Sequence, residues 1–366
     1  MLPVLLAAAT ASTVASGSTL ADRLVAEGFE NVAMETRGER TIVWFEDRRS
    51  LDATVGLGQV VRLAVQAGVE SKALELVPLH ERLPVLGIVM PVAGLRAFLQ
   101  GTVTDQAFGR ELVFESLPPD PPQGAANSSI GRPELQLTPG YAFSDQLFGY
   151  ANSTLRAQIA PGWHAQGRLQ LQFYPTWSLA PTFGLVGGHR AVAPQVDAAW
   201  SMGRWSDERY GAEGELAGWL GKGEWLWRTR MSLVTTLVPS AVGSMEYRFP
   251  WADTYARVGA GFFPAGDRAL FVTFGRLFSH SEIDAGYFRS DYGNQLRAML
   301  ITYLGPGRRP DPRPFRVEAP GWMEFDYRAT APQGATLLWP EPEAGVAWRR
   351  LTPDYVRRHL SDWKSP

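Results

Sequence analysis

From Glu134 to Leu304 the chain is written in a two-residue period: charged or amide side chains alternate with apolar ones, in segments of about 8 to 12 residues separated by Gly, Pro, Asp and Asn. Arg168, Gln170 and Gln172 alternate with Leu169, Leu171 and Phe173, and Glu213 and Glu215 with Ala212, Gly214 and Leu216. Arg228, Arg230 and Ser232 alternate with Trp227, Thr229, Met231 and Leu233, and Glu246 and Arg248 with Met245, Tyr247 and Phe249. Successive side chains of a strand point to opposite faces, so each segment reads as a strand with one polar and one apolar face. Adding residues 135–143, 152–159, 195–202, 254–263, 269–278, 282–289 and 296–304 brings the count to about eleven or twelve. An even number is expected if the sheet closes as a bacterial barrel with both ends at one rim.

Alternation alone does not say which face is inside. A soluble barrel buries its apolar side, whereas a membrane barrel turns it outward and encloses Arg168, Glu213, Glu215, Arg228, Arg230, Glu246, Arg248, Arg257 and Glu282 in the lumen. Trp163, Trp177, Trp205, Trp219, Trp225, Trp251, Tyr255 and Tyr287 fall near the expected strand ends, where a lipid–water interface favours aromatic rings. That distribution favours the membrane barrel. Mixed charge on so many strands predicts a cross-strand ion network rather than a wide open pore. No stretch offers about 18 consecutive apolar residues, so a helical span is excluded on length.

The formal charge of −2 over 366 residues gives no basic excess for a phosphate backbone, so nucleic acid is not an expected partner. The absence of Cys removes disulfides, thiolate metal sites and thiol catalysis together. Residues 1–17 are apolar and small, too short to span a bilayer as a helix, and read as a signal peptide, although no Lys or Arg precedes Arg23.

Residues 18–117 are mixed. Helical spacing over 20–27 stops at Gly28; strands follow at 31–35 and 41–45, an amphipathic helix at 56–68, strands at 73–79 and 85–92, and a helix at 92–99. Two ββα-like units therefore follow one another. The Pro- and Gly-rich stretch 118–132 reads as a linker to a barrel over 133–305, and 306–366 as a tail with short strands at 323–330 and 335–339 and a helix capped by Thr352 and Pro353.

The stretch from Gly28 to Val65 and that from Leu83 to Gly101 resemble the α/β domain of YjbH-type outer-membrane proteins of exopolysaccharide loci. The likeness lies in the FENV-like strand Phe29–Val32 and the E[ND]R-like triplet Glu46, Asp47 and Arg48. It implies a barrel after an α/β domain and an accessory role in polysaccharide secretion. Members of that family tend to be longer, with tandem barrels, and are often lipoproteins, whereas this sequence has one barrel-like region and no Cys.

The fold class expected is mostly β: an antiparallel outer-membrane barrel of about 12 strands preceded by a small α/β periplasmic domain. No nucleophile elbow, phosphate loop or dinucleotide fingerprint occurs, and no cofactor is expected. His80, His164, His189, His280 and His359 are dispersed and read as surface or turn residues rather than metal ligands. Gly187–Gly188 and Gly56–Leu57–Gly58 read as turns or helix entries. Glu213 and Glu215, about 7 Å apart on one strand face, have the spacing of an inverting glycosidase pair, but opposing arginines make a neutralised network the simpler reading. Glu46, Asp47, Arg48 and Arg49 form a charged cluster that reads as a partner surface or a solvated turn. The expectation is a non-catalytic outer-membrane protein whose partners are outer-membrane lipid, polysaccharide and other export components. A general porin or solute channel and an envelope glycan-active enzyme are the alternatives.

Overall fold

The computed structural model describes residues 19–49, 52–143, 146–204, 209–235, 238–263, 266–278, 281–291, 293–303, 315–318, 322–329 and 350–364. The expected signal peptide and the strand expected at 335–339 lie outside these residues.

The N-terminal region begins with α1 (Leu20–Ala26). Its start is fixed by a capping box in which Thr19 and Asp22 satisfy each other's backbone N–H. Strands β1 (Glu30–Arg37) and β2 (Arg40–Glu46) form a hairpin, and α2 (Ala53–Gln66), capped by Asp52, carries the chain to β3 (Ala73–His80), parallel to β2. Then come β4 (Leu83–Pro84), β5 (Gly87–Pro91), α3 (Val92–Leu99), α4 (Asp105–Glu111) and β6 (Val113–Glu115). The sheet order is β1-β2-β3-β5-β6, with β4 paired to β3. One face packs Phe45, Leu74, Leu76 and Ile88 against Leu57, Val60, Leu95, Phe98 and Phe108 of the helices. Ile42, Trp44, Val77 and Leu79 cover the other. The expected linker does not run free: Ala125 packs on that second face, Trp44 Nε1 donates to Pro119 O at 2.8 Å, and Ala126 pairs with Val32.

The barrel strands are β7 (Pro133–Phe143), β8 (Leu147–Ala160), β9 (Trp163–Tyr174), β10 (Ser178–Ala193), β11 (Val196–Arg204), β12 (Tyr210–Leu220) and β13 (Trp225–Val234). They continue with β14 (Ser240–Arg248), β15 (Thr254–Phe262), β16 (Arg268–Leu277), β17 (Ser281–Ser290) and β18 (Gly293–Tyr303). Each pairs antiparallel with the next. Closure comes from β20 (Trp322–Ala329), antiparallel to β18 and parallel to β7, and the short β19 (Arg316–Glu318) pairs parallel with the start of β7.

The result is a closed mixed barrel of 13 strands, close to the expected dozen but odd in number. The odd count comes from β20. β7 leaves the rim beside the α/β region and β18 returns to it, and β20, inserted between them, leaves that rim again and so runs parallel to β7. The barrel therefore does not end at residue 305, because the segment expected as a tail strand at 323–330 is its closing wall. Gly187 and Gly188 lie inside β10 rather than in a turn. A Cβ on Gly188 would stand 2.3 Å from Gly162 O and one on Gly187 2.7 Å from Trp200 O, so close backbone approach requires glycine at both.

The C-terminal residues return to the α/β core. α5 (Pro353–Arg358) and a 3-10 turn (Leu360–Trp363) bury Leu351, Val356, Leu360 and Trp363 in the same cluster as Leu57, Phe98 and Phe108. The α/β core is thus built from both flanks of the barrel.

Candidate functional site: a charged lumen beneath a docked α/β domain

The two faces of the wall are chemically opposite. Leu169, Leu179, Met231, Leu233, Val258, Leu270, Phe274 and Leu296 are exposed on the outer face, whereas Glu215, Arg230, Glu246, Arg248 and Glu282 are buried on the inner one. Of the aromatic residues expected near strand ends, Trp163, Trp177, Trp225 and Trp251 are exposed near the rims. Trp219 and Tyr255 are buried. Trp219 turns inward onto the α/β core, and Tyr255 packs with Leu277 and Tyr355. Trp205 lies outside the described residues.

The strand register pairs the inner charges. Arg228 Nε lies 2.6 Å from Glu215 Oε1, Arg230 pairs with Glu213, and both contacts are diagonal across β12–β13. Glu246 faces Arg257 directly, with Arg257 Nη2 at 2.5 Å and Arg248 Nε at 3.0 Å. Glu282 accepts from the Tyr255 hydroxyl at 3.2 Å. Arg168 donates to Thr154 Oγ1 at 3.1 Å and lies over the Phe183 ring. Arg297 pairs with Asp326 at 3.0 Å, closing the wall chemically between β18 and β20. All nine residues proposed for the lumen from sequence lie on this inner face, and Glu213, Glu215 and Glu246 each carry a guanidinium partner. Across β7–β9 the inner face is instead mainly neutral, with Thr138, Asn152, Thr154 and Gln158 buried there.

Of the four residues expected to offer a partner surface, Glu46 is buried, Asp47 and Arg49 are half-buried and Arg48 is exposed, and Arg48 ties the end of β2 to the barrel. Buried Glu46 accepts from Asn31 Nδ2 at 2.5 Å and from the backbone N–H of Glu81 at 3.0 Å. Burial raises its pKa despite the nearby Arg48 and these donors. Arg48 pairs with Glu134 at the start of β7 and lies 3.7 Å from Glu30. Asp47 pairs with Arg49, whose guanidinium lies over the Phe29 ring and donates to Glu27 O. The end of β2 abuts the first barrel strand, which brings Arg48 to Glu134.

The histidines also depart from expectation. His164 of β9 and His189 of β10 are 1% and 5% exposed, and both face Glu81 at the tip of the β3–β4 hairpin. Glu81 also pairs with Arg156, accepts Gly162 N–H on its backbone oxygen at 2.8 Å, and has φ +50°. His80 packs against His189 at 4.7 Å, and Asp197 lies 3.7 Å from His189 Nδ1. Burial alone would raise the Glu81 pKa, but the His164 hydrogen bond and the Arg156 charge hold it far below the usual carboxylate range.

A second contact lies farther around the ring, at the β14–β15 turn, where His359 meets Asp253 at 3.2 Å and Asp362 at 3.0 Å. Arg358 reaches Asp253 at 2.8 Å, and Arg350 and the Tyr355 hydroxyl meet Asp52 at 3.3 and 3.0 Å. Oxygen and nitrogen atoms of Asp52, His359 and Asp362 come within 4.8 Å of one another, but Arg350 already supplies the cation there. The signal for it in the sequence is the three-residue spacing of His359 and Asp362. His280 lies outside the described residues.

No protein-family model matches the chain, and no curated protein matches it.

Proposed function

We propose that the chain is an outer-membrane β-barrel protein, with its α/β domain on the periplasmic side, that assists secretion or surface assembly of an exopolysaccharide without catalysing a reaction. The observation that carries the membrane part is the inversion of the wall, apolar outward and ionised inward, because water would favour the reverse. Strands of about ten residues tilted by about 40° give a wall of about 25 Å, the height of a lipid-facing apolar band. The resemblance of the N-terminal region to YjbH-type proteins supports the polysaccharide part. Removal of the chain from its host should reduce surface-bound polysaccharide, and the protein should fractionate with outer membranes and need detergent to stay in solution. Full solubility without detergent defeats the membrane part, and unchanged polysaccharide defeats the other.

Arginines within reach of Glu213, Glu215 and Glu246, and the α/β core seated on Trp219 and Leu226 at the near rim, favour a closed accessory barrel over a porin. A steady open conductance in planar bilayers would reverse that preference. Guanidinium partners on both Glu213 and Glu215 also disfavour a glycosidase, which needs one carboxyl to hold a proton. The double substitution Glu213→Gln and Glu215→Gln should leave any glycan-processing readout unchanged.

A further inference from the structure

Each described histidine is at the junction between the barrel rim and the elements packed on it, and His164, His189 and His359 each meet a carboxylate from the opposite side of that junction. Glu81 belongs to the α/β sheet while His164 and His189 belong to the wall; His359 belongs to the C-terminal helix region while Asp253 belongs to the β14–β15 turn. The two contacts lie on well-separated parts of the ring, so together they hold the domain at two points. A histidine facing a carboxylate adds an ion pair only when protonated, and it is the side chain whose ordinary titration falls nearest neutrality.

We propose that this junction is a pH-responsive latch, in which protonated His164, His189 and His359 hold the α/β domain closed over the barrel mouth and loss of those protons loosens it. Around Glu81 the charged or titratable groups include His80, Arg156, His164, His189, Arg48 and Glu46, which accepts the Glu81 backbone N–H, and Asp197 faces His189 from β11. Arg156 Nη2 stands 3.4 Å from His164 Nδ1. Around His359 they are Asp253, Asp362 and Asp52, with Arg358 on Asp253, Arg350 on Asp52, and the Tyr355 ring stacked at 4.2 Å. Burial lowers the His359 pKa, but Asp253 and Asp362 outweigh it and the net direction is upward. The arginines keep their charge at every relevant pH, so the junction relaxes without coming apart. The latch depends only on the capped barrel, not on the polysaccharide role or on membrane insertion.

The chain has no Cys, so Val113→Cys on the α/β domain and Leu220→Cys on the near rim, both exposed, allow paired spin labels in the full-length protein in detergent. At about pH 5.5 the interlabel distance should be a single narrow population, and at about pH 8.5 that population should be lost to a broader one. Adding His164→Gln, His189→Gln and His359→Gln should give the broad distribution at both values. Identical distributions at the two pH values in the otherwise unaltered protein overturn the latch, as does a histidine-free variant that still titrates. Should the triple replacement fail to fold, the comparison of the unaltered protein with His359→Gln alone decides the matter, because that single change should remove part of the pH response. Liposome flotation of the same samples tests membrane insertion separately.

Discussion

The backbone of Trp363 occupies the space that a side chain on Gly58 would need: a Cβ at Gly58 would stand 2.8 Å from Trp363 Cα. Arg62 Nη1 donates to Trp363 O at 2.8 Å, and the indole lies edge-on to Phe108. The end of the described chain is therefore keyed into the second helix, and glycine is required there by close approach rather than by a turn. Gly58→Val should displace the tail and cost about 1–3 kcal/mol, the range for overpacking a filled core. Thermal unfolding should report the loss, and trypsin should cut after Arg357 or Arg358 faster than in the unaltered protein. Unchanged cleavage would mean that the tail is not held by this contact.

Glu246 accepts from two guanidinium groups, so its removal takes a buried carboxylate away from both Arg248 and Arg257. Glu246→Leu should destabilise the barrel by about 3 kcal/mol, the low end for a broken buried pair because Arg257 reaches some water. Replacing all three by apolar residues of similar volume should recover much of the loss. Denaturant unfolding in detergent distinguishes the two variants, and equal stability would argue for a well-hydrated lumen.

The alternation of Glu213, Glu215, Arg228 and Arg230 was sufficient to place strands and the polar face, because period two is a local property of the backbone. The α1–β1–β2–α2 opening was legible for the same reason. What was not legible depends on contacts distant in sequence. β10 looked broken at Gly187–Gly188 because the need for glycine comes from the Gly162 turn and from β11. β20 looked like a tail because only its pairing with both β18 and β7 makes it wall. Glu46 looked solvated because its partner Asn31 lies on another element. His164 and His189 carry no local signal, since Glu81 approaches them from 83 residues away in the case of His164.

Phe274 is exposed midway along the outer face of β16, while Trp251 is exposed in a turn at the near rim. If lipid surrounds the wall, an arginine should cost about 2–4 kcal/mol at Phe274 and about 0–1 kcal/mol at Trp251. Phe274→Arg should then lower the yield of heat-resistant folded barrel in vesicles, and Trp251→Arg should leave it nearly unchanged. A water-surrounded wall predicts the opposite ranking of effects on solubility, since a charge replacing an exposed phenylalanine would help. Equal yields for the two variants remove the membrane reading.

Asp253 and His359 form a pair whose strength has a defined pH window. Burial raises the Asp253 pKa, but the His359 hydrogen bond and charge lower it further, so its contribution is present above the ordinary value of 3.8 and fades as pH falls through the depressed folded value. The His359 pKa is raised, so its contribution is complete below the ordinary value of 6.5 and is lost as pH rises through the elevated folded value. Both conditions hold between 3.8 and 6.5, where the pair should contribute most. His359→Asn should destabilise the folded protein most in that interval and progressively less on the alkaline side. Denaturant midpoints of the two proteins measured across pH check this: a stability difference that stays constant from mild acid to mild alkali would show that His359 acts through packing on Tyr355 rather than through its charge.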